Sequence, residues 1–141
     1  MSSDLSRLNR LCKQQEEIYH QWAKKAGITD TQFWVLYALC EVGKPLSQNT
    51  FCENWCYSKQ TVSTAVANLE ADGLLRLDYA EGSRKQKNIT LTEAGEAFCD
   101  GNIRTLMQAE SAALTGLDKE EREIFFKVFE RFLFGIEQTK Q

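Results

Sequence analysis

The sequence holds one proline, one histidine (His20) and no apolar run near the ~18 residues that span a bilayer. A transmembrane chain is thereby excluded from the reading. The single histidine leaves little for a Ser-His-Asp or histidine-based acid–base site. Gly43-Lys44-Pro45 lacks the upstream glycine and the helix hydroxyl of a phosphate loop. No enzyme and no cofactor are expected. Cysteine is present, but as an odd set of five at irregular spacing (Cys12, Cys40, Cys52, Cys56, Cys99), a poor disulfide framework. The opening Met1-Ser2-Ser3-Asp4 turns at once into an amphipathic pattern, with no secretory leader, so a cytoplasmic protein with reduced thiols is expected. In that compartment the sequon Asn88-Ile89-Thr90 is incidental. Cys52 and Cys56, read as i and i+4 on one helix, could chelate a metal. With no second pair placed nearby in sequence, packing is the better reading and no metal is expected.

What is present is a core and an uneven charge. Apolar residues make up 43 % of the 141, enough for one domain of ordinary size and too many for a disordered chain. The net charge of -3 argues against a nucleic-acid partner until its distribution is considered. Residues 1–54 balance at zero, 55–91 carry net +1, and 92–141 carry net -4. Affinity for nucleic acid follows local cation placement rather than the sum.

The periodicity predicts a mainly α chain with a small β-hairpin (α+β). Asp4 caps a first helix carrying Leu5, Leu8, Cys12, Tyr19, Trp22 and Ala26, which Gly27 ends. A second helix from about Thr31 is apolar nearly all round and belongs at the centre of the core. Two short helices then follow in quick succession. Ser47 caps one that buries Phe51; after the turn Cys56-Tyr57, Ser58 caps one with Val62, Val66 and Leu69 at i, i+4 and i+7. Two helices joined so tightly, the second polar on its other face, are the helix-turn-helix signature. Past Gly73 the period changes to 2: Leu75, Leu77 and Tyr79, then Ile89 and Leu91, predict two strands around the polar loop 80–86. Thr92 caps a helix expected to run to about Leu114. The capping box Asp118-Lys119-Glu120-Glu121 opens a last helix rich in phenylalanine.

In this order and spacing the chain resembles MarR-type regulators over essentially its whole length. The carrying residues are Ile28-Thr29-Asp30-Thr31-Gln32-Phe33-Trp34-Val35-Leu36, Ser58-Lys59-Gln60-Thr61-Val62-Ser63 with Leu69 and Gly73-Leu74-Leu75, and Ile89-Thr90-Leu91-Thr92-Glu93-Ala94-Gly95. The resemblance implies one domain over 1–141, with a winged helix-turn-helix lobe at 31–92 and dimerisation helices at 4–27 and 93–138. It implies a homodimeric transcription regulator, most often a repressor released by a small molecule or an oxidant. The family's wing tip commonly reads Asp-x-Arg; here the corresponding residues are Ser83 and Lys85, with Arg84 between them.

The candidate DNA readers are Gln60, Thr61 and Thr64, short polar groups opposite the apolar stripe of the Ser58–Asp72 helix. Ser58, Lys59, Ser63 and Asn68 suit phosphates, and Arg84, Lys85 and Lys87 suit a backbone or minor-groove contact by the wing. Leu5, Leu8, Phe125, Phe129, Phe132, Leu133 and Ile136 are the expected dimer interface, since the last helix is apolar over more of its girth than one small domain can cover. A two-fold dimer calls for a pseudo-palindromic double-stranded operator. Tyr19, His20, Trp22, Trp34 and Tyr37 could line a pocket for a small apolar or aromatic effector, although such residues are more often core. Cys12 lies about two helical turns past the position of the reactive cysteine in the family's oxidant-sensing branch. The alternatives are an oxidant sensor acting through a cysteine and a winged-helix protein-interaction module. The second would present an apolar or acidic face in place of Lys59, Gln60, Thr61 and Thr64.

Overall fold

The computed structural model describes residues 3–79, 82 and 86–139. The caps expected at Ser47, Ser58, Thr92 and Asp118 are present, whereas Asp4 does not cap the first helix but lies inside its first turn, because that helix already begins at Ser3. The first helix, α1, spans Ser3–Ala26. Next, α2 (Asp30–Val42) begins one residue earlier than the apolar pattern suggests, because Thr29 and Gln32 form a reciprocal capping box. The Gln32 amide N–H donates to Thr29 Oγ1 at 3.2 Å and the Thr29 N–H donates to Gln32 Oε1 at 2.9 Å. Phe33, Val35, Leu36, Ala38 and Leu39 of α2 are all buried, as expected of a helix apolar nearly all round.

The pair α3 (Gln48–Trp55) and α4 (Lys59–Ala71) is held by serine caps at Ser47 and Ser58. Between them Cys56 adopts a left-handed conformation, φ 58° and ψ 37°, and its N–H returns to the Cys52 carbonyl. Cys56 therefore lies outside the helix, and the expected shared helical face of Cys52 and Cys56 does not exist. Val62, Val66 and Leu69 of α4 are wholly buried, together with Ala65. Gly73, at φ 79°, takes the left-handed position that ends α4, with the Leu74 N–H donating to Leu69 O at 3.0 Å.

Strands β2 (Leu75–Tyr79) and β3 (Lys87–Leu91) form the predicted hairpin, antiparallel with Leu77 opposite Ile89. A third strand, β1 (Leu46–Ser47), joins the far edge of β3, giving the order β1-β3-β2. The reading from sequence contained only the hairpin, because two residues show no alternation. Ile89 is buried at the middle of this sheet, opposite both Leu46 and Leu77.

The single helix expected from Thr92 to Leu114 is two helices, α5 (Glu93–Asn102) and α6 (Arg104–Thr115). The break is Ile103, at φ -114° and ψ -52° with its side chain fully buried. One residue before it, the Asn102 amide donates to the Phe98 carbonyl at 2.9 Å, so a side chain competes for the ladder where the helix ends. The last helix, α7, runs Lys119–Glu137 from the capping box of Asp118 and Glu121.

By contacts the chain divides into two compact units, Met1–Leu106 and Met107–Gln141. The first contains the winged helix-turn-helix. In the second, Arg122 Nη1 donates to the carbonyls of Leu114 and Leu117, which stitches the turn between α6 and α7. Among the described residues no helix is long and apolar enough to cross a membrane.

Candidate nucleic-acid interface

Burial of Val62, Ala65, Val66 and Leu69 turns the opposite face of α4 outward. Ser58, Lys59, Gln60, Thr61, Ser63, Thr64 and Asn68 are all exposed. Ser58, Gln60, Thr61, Thr64 and Asn68 line one open depression of about 520 Å³, together with Thr29 and Thr31 from the start of α2. Lys59 and Ser63, one turn apart, follow a separate line along the helix. The two threonines of α2 are new members of the face. The Thr-x-x-Gln capping signature at Thr29 could have found the first of them.

The start of α4 is held from two directions. The Thr61 N–H donates to Ser58 Oγ at 3.2 Å, and the two hydroxyls bond at 2.7 Å, so the Thr61 hydroxyl has a local partner as well as a place on the face. Tyr57, the residue before the cap, stacks on Phe51 with ring centroids 5.8 Å apart and planes 8° from parallel. Burial raises the Tyr57 phenol above its ordinary range, against a hydrogen bond with the Thr31 side chain.

Of the wing cations, Arg84 and Lys85 lie outside the described residues. Lys87 is exposed, with its Nζ 5.4 Å from the centroid of the Tyr79 ring. With Ser47, Gln48, Asn49 and Gln86 it lines a small polar hollow of about 190 Å³ at the start of α3. The structure thus sets Lys87 beside the first helix of the pair rather than within the α4 depression.

The five aromatic and histidine side chains read as a possible effector pocket divide. Tyr19, Trp34 and Tyr37 come together, Trp34 lying 4.9 Å from Tyr19 and 5.1 Å from Tyr37 by ring centroids. His20 instead pairs with Asp30, Nδ1 to Oδ1 at 2.9 Å, on the surface. Trp22 lines a separate open groove with Ile18 and the polar residues of the same α1 face. Trp55 of α3 completes the cluster: it lies 5.1 Å from Trp34 and 5.9 Å from Phe51. A continuous row of rings therefore leads from α1, through α2 and α3, to Tyr57 just before the cap of α4.

On α7 no residue is buried. Phe125, Phe129, Phe132, Leu133 and Ile136 are exposed, as are Phe126 and Phe134, the last at 63 %. Leu5 on α1 is exposed and Leu8 half-buried. Among the described residues no cluster of three or more His, Cys, Asp or Glu is placed to hold a metal ion.

The MarR family profile matches residues 26–86, from the end of α1 to the foot of the wing. No curated protein matches the chain by sequence. Among solved structures it is similar to NMB1585, a MarR family regulator from Neisseria meningitidis, at 22 % identity and a TM-score of 0.79, covering 98 % of this chain and 96 % of that one. It is also similar to S. aureus MepR in its DNA-binding conformation, at 23 % identity and a TM-score of 0.76 over 94 % of this chain and 98 % of that one. The S. aureus MepR–DNA complex aligns at 21 % identity and a TM-score of 0.71, over 96 % and 99 % of the two chains. At such identities the likeness is one of fold. Residues 26–86 match the MarR family profile, and the described chain has the MarR winged-helix fold.

Proposed function

We propose that this protein is a sequence-specific DNA-binding transcription regulator, acting as a homodimer on an operator of two related half-sites. The observation that carries the reading is the α4 face: a rigidly capped helix, buried on one side, that presents amide and hydroxyl groups with a lysine and no carboxylate before Glu70. Short polar side chains on an exposed helix suit the donor and acceptor pattern of the major groove, and Lys59 suits a phosphate. Gln60, Thr64 and Asn68 read or flank bases in this proposal, while Ser58, Ser63 and Lys87 position the protein. That a protein of similar fold, S. aureus MepR, forms a complex with DNA supports DNA as the partner.

The dimer in this proposal covers the apolar face of α7. Nine large apolar groups in one helix exposed to water favour association with a second copy. Regulation in this proposal is repression, relieved by a small apolar or aromatic effector at the ring row of Tyr19, Trp34 and Tyr37, whose far end reaches the recognition helix.

Titration against DNA from upstream of the protein's own gene, at two salt concentrations, tests the reading. Random DNA of equal length is the control. Preference for the upstream fragment with salt-weakened binding is the expected result. Equal, weak binding to this fragment, to tiled genomic DNA and to random sequence would replace it with the protein-interaction reading.

A further inference from the structure

The hairpin carries an aromatic side chain that its own core does not use. Side chains two apart along a strand share a face. The apolar ladder of Leu75 opposite Leu91 and Leu77 opposite Ile89 therefore continues outward as Tyr79 opposite Lys87. Leu75 and Ile89 are buried, but Tyr79 is 60 % exposed. Its ring is nevertheless occupied, because the Lys87 Nζ stands 5.4 Å from the ring centroid.

The two strand cations, Arg76 and Lys87, differ in what holds them. Arg76, on the other face, is neutralised by Asp78 at 2.7 Å. Lys87 has a ring as its partner, and no carboxylate among the described residues lines the hollow it shares with Ser47, Gln48, Asn49 and Gln86. Strand β1 brings the start of α3 to this point, since Ser47 pairs with Asn88, the residue after Lys87. The Ser47 hydroxyl is engaged by Thr50, donating to its Oγ1 at 2.8 Å. The hollow thus offers the side-chain amides of Gln48, Asn49 and Gln86 with one full positive charge.

We propose that Tyr79 is a positioning residue for DNA: its ring fixes the Lys87 ammonium at the hollow beside α3, where the ammonium and the neighbouring amides take a backbone phosphate outside the α4 depression.

This inference rests on the DNA-binding reading and adds to it a residue that acts through another. A phosphate must compete with the carboxylate for a cation such as Arg76. A cation over a ring face keeps its charge and can turn its remaining N–H donors toward an anion. The ring also restricts a long, flexible stem before the phosphate arrives, so that less freedom is lost on binding.

A tyrosine at a strand end can equally be plain surface, and the experiment separates the two. The readout is binding of the full chain to a labelled random-sequence duplex at low salt, because a phosphate contact is indifferent to sequence. Tyr79→Leu should weaken binding about two- to fivefold, the scale of an exposed cation–π contact. Tyr79→Phe, which keeps the ring, should bind as the parent does. In a Lys87→Ala background, Tyr79→Leu should change nothing further, whereas general damage to the hairpin would weaken binding in both backgrounds. Unchanged affinity in Tyr79→Leu would overturn the proposal. So would an equal loss in Tyr79→Phe, or a loss that persists without Lys87. Should Tyr79→Leu fail to fold, proton NMR of the parent decides. The Lys87 methylene beside the nitrogen, identified by its disappearance in Lys87→Ala, should be shifted upfield by the ring; an ordinary position would overturn the contact. Absence of any duplex binding by the parent would remove the DNA reading and this site with it. Parental binding with unaltered variants would remove the site alone.

Discussion

Gly95 approaches Leu74 so closely that a Cβ on Gly95 would stand 2.0 Å from the Leu74 carbonyl oxygen. That oxygen also accepts the Thr92 N–H at 3.1 Å, while Thr92 Oγ1 donates to Gly73 O at 2.6 Å and accepts the Gly95 N–H at 3.0 Å. The start of α5 is therefore pressed backbone to backbone on the corner where α4 turns into the wing. Gly95→Ala should destabilise by about 1–3 kcal/mol or more, because backbone cannot yield as a side chain does. A urea midpoint equal to that of the parent would refute the close approach.

Thr92→Val removes both hydroxyl interactions while keeping the shape. A loss of about 1–2 kcal/mol in chemical denaturation is expected, in line with other helix N-caps. The double variant with Gly95→Ala should fall short of the sum, since the two positions share one corner.

Gln60→Ala should cost about 1–3 kcal/mol on the preferred operator, and far less on random DNA, if its amide makes two bonds to a base. Equal losses on both would remove Gln60 from the base readers and leave it a backbone contact.

Lys59→Ala should weaken binding on every sequence and reduce the slope of log affinity against log salt by about 1. Lys87→Ala should do the same through the hollow at the start of α3. An unchanged slope in either variant would mean that its ammonium does not neutralise a phosphate.

A hydrogen bond from Cys99 holds the Cys40 thiol below its ordinary range, which has a direct pH signature. The midpoint of Cys40 alkylation against pH should lie lower in the folded protein than in the urea-unfolded chain. Arg104→Ala should move the folded midpoint upward. Coincident midpoints for the folded and unfolded protein would refute this lowering.

Sequence reasoning reached the elements whose signals are local. Ser47, Ser58, Thr92 and Asp118 each cap the expected helix, and the stripe of Val62, Val66 and Leu69 correctly predicts which side of α4 is buried. It missed what depends on partners distant in the chain. The two-residue β1 exists only because Leu46 and Ser47 pair with Ile89 and Asn88. The break at Ile103 is invisible to periodicity, since the apolar pattern continues across it. The contact of Cys40 with Cys99, and that of Trp55 with Trp34, join residues that no spacing rule relates. For the candidate interface, Gln60 and Thr64 were legible as the polar side of a helix. Thr31 was not, because only the packing of α2 against α4 brings it to that face.

The row of rings that runs from Tyr19 to Tyr57 also gives the molecule an optical instrument of its own. Trp34 and Trp55 are neighbours within it, so their emission depends on the spacing of α2 and α3 and on the ring stack that leads to the start of α4. Trp22 alone among the three tryptophans looks elsewhere. Its replacement by phenylalanine leaves a fluorophore pair reporting from the packing of α2 on α3, so that movement there can be followed in solution without attaching any label.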